Sequence, residues 1–403
     1  MTDAAVTEYA ALAGALALPL YSYLGYPALL KLLSLARPTA RPAGRAGPER
    51  DLPFVSITIP VYNEAAVIAD TLECVLGLDY PADRRQIVVV SDASTDGTDE
   101  IVARWASRGV ELLRLPHRGG KTAAENAARA RLVGDIVINT DASVRIHPQA
   151  LRALVAALAD RSVGVASGRD VSVDRLDGAA NRGERTYVGY EMWVRDLETR
   201  VGGIVGASGC LYAIRAALHR EAVPENLSRD FAAALIARRQ GLRAVSVPEA
   251  VCYIPRSASL RQEYRRKVRT MARGLRTLWY MRALLNPARY GGFAWSLASH
   301  KLCRWLVPWS LAGAVAALVA LAIGGESAWP AATLVAIGSV ALIALVGWTW
   351  PDGRPLPRLV ALPAYLVSGT IAALHAWVLA LRGDRTAVWE PTRRGDRGEA
   401  RAG

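Results

Sequence analysis

With 403 residues, 52% of them apolar, and a formal net charge of +13, the chain has room for a globular domain and a membrane portion. Its cations gather beside apolar stretches, at Arg37, Arg41, Arg45 and Arg50 and again from Arg256 to Arg276, as in segments facing an anionic leaflet, and no nucleic-acid-binding module accompanies them. The four cysteines, Cys74, Cys210, Cys252 and Cys303, form no C-x-x-C pair, so neither a zinc motif nor a disulfide scaffold is expected.

Residues 1–36 read as an N-terminal transmembrane helix, because Tyr9 to Ala36 is apolar enough and a span needs about 20 residues. Asp3 and Glu8 precede it and four arginines follow it, which puts what comes next in the cytoplasm. Residues 37–52, rich in Pro, Arg and Gly, read as a linker. From 53 to 255, strand and helix patterns alternate, which implies a parallel or mixed sheet covered by helices. Expected strands are Val55–Pro60, Gln86–Val90, Val110–Leu115, Asp135–Thr140 and Val163–Gly168. Expected helices are Glu64–Leu76, Thr98–Ser107 with Thr98 as N-cap, Lys121–Leu132 and Pro148–Ala159. Residues 256–300 read as interfacial, with Arg261–Arg282 an amphipathic helix. Residues 301–382 hold three apolar segments near 304–324, 329–350 and 357–381, and 383–403 is a basic tail. Three spans from the cytoplasm leave that tail outside, against its charge; either it is external, or one segment is interfacial or re-entrant.

Two of the strands stop at an aspartate: Ile87–Val90 runs into Ser91-Asp92, and Ile136–Thr140 into Asp141-Ala142-Ser143. Ligands of open α/β sheets bind beyond the carboxyl ends of such strands. Asp92 can accept hydrogen bonds from a nucleobase or ribose, whereas Asp96 and Thr98 read as caps of the following helix. Asp141 with the Ser143 hydroxyl suits Mg²⁺ or Mn²⁺, which takes one or two carboxylates plus phosphate oxygens. Lys121, after two glycines and before a helix, can offset phosphate charge. Asp230 precedes an apolar run, Ala232–Ile236, and reads either as a cap or as a general base. Neither a G-x-G-x-x-G turn after the first strand nor a complete P-loop is present, which argues against a dinucleotide-binding domain or a P-loop NTPase.

In this order, Ile59–Glu64, Val90–Thr98, Gly119–Asn126, Thr140–Ser143, Gly206–Arg215 and Arg229-Asp230 resemble membrane-associated family 2 glycosyltransferases, relatives of hyaluronan and cellulose synthases. The resemblance covers roughly residues 50–280 and implies an α/β GT-A cytosolic domain plus transmembrane helices, one N-terminal and about three C-terminal. It implies an inverting transferase that moves a sugar from a nucleoside diphosphate donor, a UDP-sugar in the first place, to a membrane-proximal glycan or lipid-linked acceptor. The location implied is the cell membrane, multi-pass, with the catalytic domain cytoplasmic. Pro60, Tyr62, Glu64 and Asp92 would hold the nucleoside, with Lys121 and Asp141 at the diphosphate. Asp141 and Ser143 would face the metal, Ser143 standing where the family's D-x-D motif has its second aspartate. Asp230 would be the base, and Gly206, Ser208 and Gly209 would shape the acceptor pocket. Arg266 and Arg269 would touch the diphosphate, in a region where the processive Q-x-x-R-W motif is expected not to be intact. Trp389–Arg393 resembles a C-terminal motif of such synthases. The alternatives are single addition to a polyprenyl lipid and a catalytically silent membrane scaffold.

Overall fold

The computed structural model describes residues 3–36, 52–173, 179–255, 260–325, 327–351 and 356–383. Most of the expected linker, and the basic tail beyond Gly383 with Trp389–Arg393, lie outside the described residues. The sheet has eight strands: β1 (Val55–Val61), β2 (Arg85–Ser91), β3 (Val110–Arg114), β4 (Ile136–Thr140), β5 (Arg145–Ile146), β6 (Val163–Val173), β7 (Leu211–Arg215) and β8 (Arg243–Pro255). Their order is β3-β2-β1-β4-β7-β6-β8-β5.

The first four strands in that order are parallel, β1 pairing with both β2 and β4. The chain leaves β1 toward β2 and β3, then returns to place β4 on the other side. Between β1 and β4 the winding direction therefore reverses, and there the crevice of an open α/β sheet forms. β7 is antiparallel to β4 and β6, which makes the sheet mixed.

Continuous β-branched runs explain the central strands. Val55, Ile57, Ile59 and Val61 are buried and share one core with Ile68, Leu72 and Val75 from helix Ile68–Leu76. On the opposite face Val88 and Val90 pack on Ala124 and Ala128 of helix Lys121–Ala128. Gly134 permits the close entry into β4: a Cβ there would lie 2.5 Å from the Ser56 backbone nitrogen.

Local chemistry corrects one capping assignment. Gly97, at φ 89°, holds the N-cap position, and Thr98 is the first residue of helix Thr98–Ala103. Asp96 supplies the cap, its Oδ1 accepting from the Thr98 amide at 3.1 Å. The Thr98 hydroxyl instead accepts from the Glu64 amide at 2.9 Å. The turn after β2 is thus stitched to the turn after β1.

Four helical stretches are long and apolar enough to cross a membrane: Ala5–Leu35, Gly292–Gly324, Trp329–Thr349 and Arg358–Arg382. This matches the expected one-plus-three arrangement. Leu12 of the first packs on Ala314, Ala317, Leu318 and Leu321 of the second, where small side chains allow close approach. The basic helix Leu260–Tyr280 docks on the last apolar helix. Arg276 donates to the Leu379 carbonyl at 2.9 Å, Tyr264 bonds His375 at 3.1 Å, and the Lys267 ammonium sits 3.5 Å from the Tyr365 ring centre.

A helix without a sequence forecast, Ala179–Val201, bridges the sheet and the apolar helices. Its Val194 and Leu197 pack with Tyr26 and Leu30 of the N-terminal stretch. Its acids are also paired across that junction: Glu191 with His300 and Arg304, and Glu198 with His300 and Tyr26.

Candidate active site

Beyond the carboxyl ends of β1 and β4 lies a cavity of about 420 Å³. Of the residues expected to form a site, Glu64, Lys121, Asp141, Ser143, Gly206, Ser208, Gly209, Asp230, Arg266 and Arg269 all line it. They come from six separate stretches of sequence, and only folding brings them together.

Lys121 is the hub. As the first residue of its helix, it follows Gly120 at φ 87°. Its ammonium donates to Asp141 Oδ1 at 2.5 Å and to the Gly209 carbonyl at 2.8 Å. Burial works against the charged ammonium, but the carboxylates of Asp141, Glu125 and Asp230 together outweigh it and push the Lys121 pKa up. The cluster thus favours the charged form of Lys121.

Asp230 sits in the first turn of helix Arg229–Arg239, where an acid also suits the helix dipole. Its Oδ1 accepts from the Ser228 hydroxyl at 2.5 Å, which fixes the carboxylate. Its Oδ2 faces Gly209 so closely that a Cβ there would lie 2.8 Å away. A side chain at 209 would therefore push the Asp230 carboxylate from this position.

Asp92, Pro60 and Tyr62 are placed differently. Asp92 is buried, and its two oxygens accept from the Gly119 and Gly120 amides, each at 2.7 Å. It holds the turn that delivers Lys121. Pro60 is buried within β1 against Val90, and the Tyr62 ring packs on the Arg118 guanidinium at 3.8 Å. None of these three lines the cavity. Both turns carry non-glycine residues at positive φ, Asn63 at 51° and Ala93 at 58°. Such backbone is uncommon and concentrates at functional turns.

The wall opposite the sheet is one face of helix Leu260–Tyr280. Gln262, Glu263, Arg266, Arg269, Thr270 and Arg273 line the cavity at helical spacing. Arg266 pairs with Glu263 through two hydrogen bonds of 2.8 and 2.7 Å. Gln262-Glu-Tyr-Arg265-Arg266 has the Gln and Arg of Q-x-x-R-W but Arg266 at the Trp position, so the motif is not intact.

Sequence reasoning also passed over Glu125. It is 1% exposed, lines the cavity, and lies 3.8 Å from the Arg229 Nε. Burial raises its pKa, partly opposed by Lys121 and Arg229. Arg229 in turn donates to Asn126 Oδ1 at 2.5 Å. The Lys121 helix thereby holds the segment that carries Asp230, and the i, i+4 spacing of Lys121 and Glu125 was the available signal.

Among the described residues no group of three or more His, Cys, Asp or Glu side chains is arranged to hold a metal. The Asp141 carboxylate and the Ser143 hydroxyl, two residues apart at the end of β4, are among the groups that line the cavity. That donor set fits Mg²⁺ or Mn²⁺ when substrate phosphates complete the shell, as is common for these cations.

Residues 56–219 match the family described as Glycosyl transferase family 2. The chain is 28% identical over 201 residues to beta-monoglucosyldiacylglycerol synthase of Nostoc sp., covering 47% of this chain and 43% of that protein. It is 28% identical over 237 residues to an N-acetylglucosaminyltransferase of Mesorhizobium japonicum, covering 53% and 55%. The chain thus spans about half the length of the curated relatives it matches. A mannosyltransferase from Pyrobaculum calidifontis, PcManGT, solved with GDP-Man and Mn²⁺, aligns over 93% of this chain and 99% of its own, at TM-score 0.70 and 26% identity. Domain match, relatives and fold agree: residues 56–219 form a family 2 glycosyltransferase domain, in a chain with a GT-A fold and four apolar helices consistent with membrane association.

Proposed function

We propose that the chain transfers a sugar, with inversion, from a nucleoside diphosphate donor to a hydroxyl of a membrane-proximal glycan or lipid-linked acceptor. The observation that carries this reading is the meeting of Lys121, Asp141, Gly209 and Asp230 in one cavity, walled by a basic helix docked on an apolar one. The named relatives include a glycolipid synthase, which supports a lipid-linked acceptor.

Lys121 would neutralise donor phosphate while its bond to the Gly209 carbonyl keeps the acceptor strip in place. Arg266 and Arg269 would face the diphosphate from the opposite wall. Asp230, fixed by Ser228, would take the acceptor hydroxyl proton at Oδ2 as the hydroxyl oxygen attacks the anomeric carbon and the bond from that carbon to the nucleoside diphosphate breaks. Asp92 would act at one remove, by holding the Gly119-Gly120 turn, and Pro60, Tyr62 and Glu64 would frame the nucleoside end. Asp141 and Ser143 would hold Mg²⁺ or Mn²⁺, which when bound supplies Lewis-acid stabilisation of the departing diphosphate. Residues 53–255 would form the catalytic domain on the cytoplasmic face of the cell membrane.

The test is incubation of the purified full chain, in lipid, with radiolabelled UDP- and GDP-sugars, each with and without Mg²⁺ or Mn²⁺. Metal-dependent label in a lipid or glycan product, with release of nucleoside diphosphate, is the expected result. Absence of transfer and of donor cleavage across the panel, with acceptor lipids supplied, would sink the reading. Product chain length separates single addition from polymerisation. UDP-sugars are the first expectation, and the PcManGT complex supports testing GDP-mannose beside them.

A further inference from the structure

Lys301 has no task in the reaction as drawn above. It belongs to the apolar stretch Gly292–Gly324, yet its side chain lines the catalytic cavity. Among the described residues it forms no ion pair, and its ammonium lies 5.7 Å from the centre of the Phe231 ring. Its acidic neighbour Glu191 gives one oxygen to His300 at 2.5 Å and the other to Arg304 at 2.6 Å. On the same cavity wall Arg195, 5% exposed, donates to the Ser167 hydroxyl and the Met192 sulfur and leaves its Nε unpartnered. Leaving cations this poorly compensated inside a protein is costly.

Both cations lie along the strip that leads to Asp230. A Cβ on Gly209 would meet Asp230 Oδ2 at 2.8 Å, whereas one on Gly206 would lie 3.8 Å from the Lys301 ammonium. Between them the Ser208 amide donates to the Ser167 hydroxyl at 2.8 Å, the same hydroxyl that Arg195 holds. Three residues of backbone separate the two ends, at most about 10 Å.

We propose that the Lys301–Arg195 end of the cavity is an acceptor subsite for a phosphate ester, which places an acceptor hydroxyl at Asp230 and its phosphate at Lys301. The inference rests on the transferase reading and narrows its acceptor. An ammonium and a guanidinium are the side chains that bind phosphate by charge-assisted hydrogen bonds. With a neutral acceptor, Lys301 has only the Phe231 ring, 5.7 Å from its ammonium, and a Glu191 carboxylate already bonded to two other cations, while Arg195 has only neutral acceptors. The phosphate can belong to a membrane phospholipid or to a soluble ester, and the place of Lys301 on a bilayer-length stretch favours the lipid.

The test uses the purified full chain in detergent, loaded with UDP or GDP and Mn²⁺ so that the donor side is filled. Calorimetric titrations with glycerol 3-phosphate, short-chain phosphatidylglycerol and glycerol then follow. Both phosphate esters bind and glycerol does not; Lys301→Gln weakens ester binding by about tenfold, the loss of one charge-assisted contact. Lys301→Arg, which keeps the charge, retains binding and shows that the position tolerates change. Tighter binding of the lipid assigns the membrane as source, tighter binding of glycerol 3-phosphate assigns a soluble ester, and either supports the subsite. Equal binding of glycerol, or unaltered ester affinity in Lys301→Gln, overturns it. Failure of the unmodified chain to take up either nucleotide would instead overturn the transferase reading, and the subsite with it.

Discussion

Replacing Asp230 by Asn should lower sugar transfer by about a hundred- to ten-thousandfold, the range a positioned general base contributes. The substitution preserves shape, so the Ser228 hydroxyl keeps an acceptor at the same place and Gly209 meets no larger group. Donor affinity should therefore stay close to that of the unmodified chain. The competing role for Asp230 is purely structural, as an acid in the first turn of helix Arg229–Arg239. Loss of a cap-type contact costs about 1 kcal/mol of stability and leaves chemistry alone. Single-turnover transfer, measured beside nucleotide binding and thermal melting, separates the two. Unchanged turnover in Asp230→Asn would remove it as the base.

Asp141→Ala should cost about a thousandfold in transfer, because Lewis-acid stabilisation is worth several kcal/mol. It should also abolish the response of any residual activity to Mg²⁺ or Mn²⁺. The same substitution strips the Lys121 ammonium of the carboxylate it holds at 2.5 Å, leaving the Gly209 carbonyl. A companion variant isolates the metal effect: Ser143→Asp adds a second hard oxygen ligand and should lower the metal concentration needed for half-maximal rate. A fully active Asp141→Ala that ignores metal would refute the assignment.

The parts of the fold written in β-branched runs were legible before any coordinates. β1, β2 and β4 are buried throughout or nearly so, and such strands carry their signal in composition alone. The apolar helices were legible for the same reason. Helix Ala179–Val201 was not, because Glu191 and Glu198 find their partners in His300, Arg304 and Tyr26, all more than a hundred residues away in sequence. No local pattern announces a partner at that distance. The candidate site divides along the same line. Strand ends located Asp141, and glycine pairs located Lys121. The number of residues between an aspartate and a cavity says nothing about which way the carboxylate turns. Asp92 turns toward the Gly119 and Gly120 amides, and only the packed structure reveals that its visible work is to hold a neighbouring turn.

Helix Leu260–Tyr280 has one face in the cavity and another fastened to helix Arg358–Arg382 through Arg276, Tyr264 and Lys267. The last apolar helix is therefore a mounting rail for Arg266, Arg269 and Arg273. A spanning helix that does not match the local bilayer thickness can respond by tilting. The expected consequence is that a thinner or thicker membrane shifts that cationic wall, and with it the cavity it lines. Transfer rates across vesicles of graded acyl-chain length would read that shift as a maximum at one thickness; a flat response would show the rail to be uncoupled.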